Sequence, residues 1–162
     1  MRAAERLVPE ENPSRVIYGI IAIAALLAAE SGLHETYLDT VASAAIAAVL
    51  YWFAHAYAEL LGLRLALHER LTVGALGRAL AHEAAILRGA LVPLAVLAVG
   101  WIVGAQQQTA VTAALWSAIA SLLVFELIAG LRAHASAREL AFEGCIGAAM
   151  GVAIIALKIV LH

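Results

Sequence analysis

Charge is the scarcest commodity in this chain of 162 residues. Only 14% of it is Asp, Glu, Lys or Arg, against roughly 25% in a soluble domain. Hydrophobic residues make up 64% and mean hydropathy is +0.93, so a water-facing surface cannot be built from this inventory. A single cysteine, Cys145, excludes a disulfide scaffold; three prolines exclude collagen, and the apolar content excludes disorder. A net charge of −2 gives no basis for a nucleic-acid partner. No HExxH, GxSxG, P-loop, GxGxxG or CxxC occurs. A potassium-filter TVGYG and an Arg-repeat voltage sensor are also missing. The expectation is a protein that is not an enzyme and carries no cofactor or metal.

What is present is long apolar runs. A membrane-spanning helix needs about 20 mostly apolar residues, and five segments qualify: about Val16–Leu33, Thr40–Leu63, Ala84–Gly104, Thr109–Leu131 and Phe142–Leu161. They are rich in Ala and Leu and lack period-2 alternation, so the fold class expected is all-α, a polytopic membrane protein with residues 1–162 forming one transmembrane domain. Glu5, Glu10 and Glu11 dilute the basic front that a signal peptide would need, so the first segment is expected to stay as a span.

Orientation follows from the nine Arg and one Lys. Arg2, Arg6 and Arg15 precede span one; Arg64, Arg70, Arg78 and Arg88 separate spans two and three; Arg132 and Arg138 separate spans four and five. The loops Ser31–Asp39 and Ala105–Gln108 contain no Lys or Arg. Five spans put every Arg on one side, which predicts a cytoplasmic N-terminus, an outside C-terminus and a location in the plasma membrane.

The stretch Leu65–Glu83 is amphipathic and is expected to form a pair of interfacial helices, with Thr72 as the N-cap of one that runs on into span three. Pro93 is expected to kink span three. Small residues supply close helix packing in lipid. Gly100 and Gly104 stand at GxxxG spacing, Gly147 and Gly151 do the same in span five, and 39 residues are Ala. So small a bundle points to a homo-oligomer. Trp101 fits an outer interface belt, whereas Trp52 and Trp116 are expected to pack deeper.

Ionisable residues inside the spans carry the functional argument, because each costs about 2.5–3.5 kcal/mol at mid-helix and needs a partner, water or a purpose. Tyr51, His55 and Glu59 fall at i, i+4 and i+8 on one face of span two, continued by Ala48, Ala44 and Thr40. His55 lies about 13 Å and Glu126 about 9 Å in from the nearest Arg at 1.5 Å per residue, so His55, Glu59 and Glu126 are expected to form one cluster. It can be read as a proton or cation path, since imidazole titrates nearest neutrality. It can also be read as a hydrogen-bonded clamp between helices. A metal site is the weakest reading, because no Cys or second His shares the face.

Glu30, His34, Glu35 and Asp39 crowd the first outer loop. They suit an acidic vestibule that concentrates cations, or an ordinary acid-rich outer loop. Lys158 is at a depth to pair with Glu30. The doublets His34–Glu35, His68–Glu69 and His82–Glu83 carry no weight, because adjacent residues do not face each other on a helix. The leading function is an oligomeric proton or cation channel or small transporter with its path along span two. The alternative is a non-conducting scaffold that docks anionic lipid or a cytoplasmic partner on its Arg-rich helices.

Overall fold

A computed structural model describes residues 13–29, 36–67 and 72–161. Among these, six helices follow one another with no strand: α1 (Pro13–Ala29), α2 (Tyr37–Leu67), α3 (Val73–His82), α4 (Ala84–Ile102), α5 (Gln107–Arg132) and α6 (Ala137–Leu161). Four of them, α2, α4, α5 and α6, are long and apolar enough to cross a membrane. The first expected span does not reach that length: α1 has 17 residues, about 25 Å at 1.5 Å per residue, and residues 30–33 of that span lie outside the described ones.

Short as it is, α1 is the core. It touches α2, α4, α5 and α6. Val16, Ile20, Ile23, Ala24, Leu27 and Ala28 recur at helical spacing and are sealed from solvent. Its closest neighbour is α4, and two glycines make that approach possible. A Cβ on Gly19 would land on the carbonyl of Ile86, and one on Gly89 would land on that of Val16. Only hydrogen at both positions lets the two backbones meet.

The chain begins α2 with a reciprocal cap: Thr36 N–H and Oγ1–H donate to Asp39 Oδ2 (3.1 and 2.6 Å), and Asp39 N–H donates to Thr36 Oγ1 (3.3 Å). Further along, buried Thr40 accepts from Gln107 Nε2 at 2.7 Å, and Tyr37 Oη donates to the Leu97 carbonyl at 3.0 Å. These tie α2 to α5 and α4 at one end of the bundle.

The connection between α2 and α4 differs from the expected helix pair. The first half is a continuation of α2 to Leu67, and α3 alone forms the second. Thr72 caps α3 as expected, its Oγ1 accepting from Ala75 N–H at 3.1 Å. The helix does not run on into α4, however, because it stops at Glu83 (φ −87°, ψ 2°) and α4 starts afresh at Ala84. That break lets α3 lie back along α2, where Trp52 Nε1–H donates to the Leu80 carbonyl at 3.0 Å. Pro93 is buried within α4. Trp116, expected to be a packing residue, is instead 57% exposed.

The remaining glycines divide by role. Gly104, expected at a helix–helix contact, lies in a turn: at φ 71° it closes a Schellman-type end to α4, with its N–H on the Trp101 carbonyl and Ala105 N–H on that of Gly100. Gly100 faces Ala110 and the Tyr37 hydroxyl, Gly147 faces the Glu126 carboxylate, and Gly151 faces Ile119.

Candidate functional site

The break at Glu83 and the head of α1 bring polar side chains from three elements to one place. Glu83 is fully buried. Arg15, itself buried in the first turns of α1, puts Nε 2.8 Å from Glu83 Oε1 and Nη2 3.4 Å from both oxygens of Glu59. Its Nη1 lies 3.0 Å from His82 Nε2 and donates to the His82 carbonyl at 3.4 Å. From α2, His55 Nε2 stands 3.6 Å from Glu83 Oε2, its ring stacked near Tyr51 (centroids 6.1 Å) and tilted against Tyr18 (5.9 Å). His82 Nδ1 completes the group, 3.8 Å from Glu59 Oε1 and 3.7 Å from Glu83 Oε1.

Glu83 is the tightest point of this cluster. Both its carboxyl oxygens are buried, with Arg15 Nε 2.8 Å from one of them. It lies at the α3–α4 junction, outside the four long apolar helices. Burial, then the neighbouring Glu59 carboxyl, push its pKa up to about 7, with Arg15 pulling the other way.

Glu59, His82 and Glu83 offer three ligand atoms within 4.8 Å of one another, close enough to be tested as a metal seat. The chemistry of Arg15 argues against it. A guanidinium can only donate, so His82 Nε2 accepts and the neutral ring carries its proton on Nδ1, the atom that faces the carboxylates. A metal ion on Nδ1 would leave Nε2–H pointing at a cation, and it would displace the positive charge already present. The group is built around a guanidinium.

Two spaces adjoin the cluster. A broad cleft of about 460 Å³ between α2 and α3 is lined by Glu59, Leu63, Arg78, Ala79 and His82 among others. A separate pocket of about 190 Å³ between α1, α2 and α4 is walled by Gly19, Ala22, Ile23, Ala48, Tyr51 and Ala90 among others. It is apolar apart from that tyrosine.

Of the residues expected from sequence, His55 and Glu59 belong to the cluster and Tyr51 flanks it; Glu126 does not. Helix α5 presents Glu126 to α6, where its carboxylate covers Gly147 and shares a small cavity of about 60 Å³ with Glu143. Distance along a helix does not determine rotation about its axis, and that rotation turns Glu126 toward α6. Asp39 serves the cap of α2, while Glu30, His34 and Glu35 lie outside the described residues. Lys158 Nζ donates to Thr112 Oγ1 at 3.2 Å, and its expected partner Glu30 lies outside the described residues.

Arg15, His82 and Glu83 were missed. The argument against the His82–Glu83 doublet assumed a continuous helix. Once the helix breaks between them, adjacent residues do reach one site. A buried Arg at the head of an apolar run was the signal available for Arg15. Comparison with protein-family models, curated proteins and solved structures gave no match to this chain.

Proposed function

We propose that this chain is an integral membrane protein that carries protons, or small cations, across the bilayer through the Arg15–His55–Glu59–His82–Glu83 cluster. In this reading α1 is a fifth, central crossing, the N-terminus is cytoplasmic and the C-terminus outside, as the distribution of Arg favours. The protein works in the plasma membrane as a homo-oligomer. One observation carries the proposal: Glu83 is a fully buried carboxyl with two imidazoles within 4 Å. A carboxyl so placed exchanges protons near neutrality. The apolar pocket beyond Tyr51 supplies the barrier that separates this site from the far end of the bundle, where Thr40 and Gln107 pair.

A second reading has its own support. Arg15 links α1, α2 and the α3–α4 junction at one point, which is also what a structural clamp would do. Proton flux into proteoliposomes, compared for wild type, Glu83→Gln and Glu59→Gln at matched folding, separates the two. Transport requires flux in wild type and its loss in variants that remain folded. A clamp gives unfolding without selective loss of flux. Absence of wild-type flux across pH, voltage and salt overturns the transport proposal.

A further inference from the structure

Glu83 is sealed, so a proton must reach it through a neighbour, and the neighbours differ in what they can do. Arg15 contributes only a permanent positive charge and is itself nearly buried. The side chain of His55 is 35% exposed and lies off the α2–α3 cleft; Glu59 and His82 both line that cleft, Glu59 at 33% and His82 at 58% exposure. His82 therefore touches the cleft, the two carboxylates and Arg15 at once.

Resting on the transport reading above, we infer that the α2–α3 cleft is the aqueous way into the cluster and that His82 is the relay that passes protons between it and Glu83. The groups facing His82 are Arg15 from α1, Glu59 from α2 with His55 behind it, Glu83 at the junction, and Arg78 on its own helix. Arg15 is a positioning residue: by donating to Nε2 it turns the Nδ1–H toward Glu59 and Glu83. For transfer, Nε2 exchanges Arg15 for a hydronium ion in the cleft. An N–H bond forms at Nε2 as the hydronium O–H breaks, and the Nδ1–H bond breaks as an O–H forms on Glu83 Oε1. The imidazole is neutral before and after, water is released, and the one net change is neutralisation of Glu83. The Arg15 guanidinium stays held meanwhile through Nε on Glu83 and Nη2 on Glu59. The ring is left with its proton on the nitrogen facing Arg15, an arrangement of two donors that a ring turn relieves. That turn resets the relay.

The test has two arms in a Cys145→Ala background, since Cys145 is exposed. In the first, a membrane-impermeant thiol reagent is applied to Leu63→Cys and Ala79→Cys in the cleft and to Ala22→Cys and Ala48→Cys in the apolar pocket. The cleft positions should react and the pocket positions should not; unreactive cleft cysteines overturn the aqueous route whatever the flux. In the second, proton flux in proteoliposomes is measured for wild type, His82→Gln and His82→Ala with and without added imidazole. His82→Gln should lower flux about a hundredfold, the scale of a lost acid–base group. Imidazole should restore flux to His82→Ala, which a merely structural role would not permit. Wild-type flux unchanged in His82→Gln overturns the relay and leaves the transport reading standing. No flux in wild type overturns both.

Discussion

Glu59 with Glu83 on one side of the molecule, and Glu126 with Glu143 on the other, are both pairs of neighbouring carboxylates, yet their surroundings have little in common. The first pair encloses a guanidinium and two imidazoles at a point where α1, α2, α3 and α4 converge. The second lies between α5 and α6 alone, around a small cavity lined mainly by Leu and Gly. The glycines differ in the same sense. Those of the α1–α4 crossing face carbonyls that cannot move without moving a helix, whereas Gly147 and Gly151 face the ends of Glu126 and Ile119 side chains. Charge concentrates where the backbone is fixed. A site that must hold several charged groups in register needs a frame that does not yield.

The largest test of that contrast is steric. Gly89→Ala should cost about 3 kcal/mol, because its Cβ meets backbone on α1. Gly147→Ala should stay within about 1 kcal/mol of wild type, because the Glu126 side chain can swing aside and Ala favours the helix. Thermal unfolding in one detergent compares them, and equal losses would erase the distinction between the two sides.

Removing charge should separate the two sides next. Glu83→Gln leaves Arg15 buried with only the longer contacts to Glu59, and a loss of about 2 kcal/mol is expected, less than for an ion pair with no second acid. Glu126→Gln replaces a carboxyl whose buried Oε2 has no hydrogen-bond partner among the described residues, so it should cost no stability, while leaving proton flux at the wild-type level. Loss of flux in folded Glu126→Gln would put the path on the wrong side.

The response to pH sharpens the contrast. Folding raises the pKa of Glu83 from 4.5 to about 7, so the folded chain retains a proton that the unfolded chain releases. That stabilisation is complete below the unfolded value and is lost as pH rises through about 7. The apparent melting temperature should therefore fall between about pH 5 and pH 8, and Glu83→Gln should flatten that slope. A slope that persists in Glu83→Gln would assign it to other groups.

The smallest effect expected is at the α5–α6 turn. His134 sits there at φ 54°, a conformation in which the α4–α5 turn uses Gly104. His134→Gly should raise stability by less than about 1 kcal/mol, relief of strain being partly offset by greater freedom in the unfolded chain. Destabilisation would mean that the bond between His134 Nδ1 and the Arg132 carbonyl region outweighs the strain.

Much of the architecture was legible because lipid demands long apolar helices, and composition reports that directly. Helices α2, α4, α5 and α6 overlap the last four apolar segments, and Thr72 announced the cap of α3. Two things were not legible. By length α1 falls short of the four long apolar helices, whereas its place at the centre depends on Gly19 meeting Ile86 and Gly89 meeting Val16, across some 70 residues of sequence. The site was half visible: the periodicity of α2 placed His55 and Glu59 on one face, but His82 and Glu83 join them through a helix break that no proline or glycine marks, and Arg15 joins them from the head of α1.

The central position of α1 has a consequence for biogenesis. The helix that every other long helix packs against precedes them among the described helices, and its closest partner, α4, follows some 70 residues later. Until then α1 is a short apolar rod with a notch of bare backbone at Gly19 and no α4 to fill it, although Glu59 on α2 can already reach Arg15. Contacts of such high sequence separation form late and slowly. The insertion machinery, or an early companion in α2, must shelter α1 through that interval, and chains that stall before α4 are the ones that quality control should meet most often.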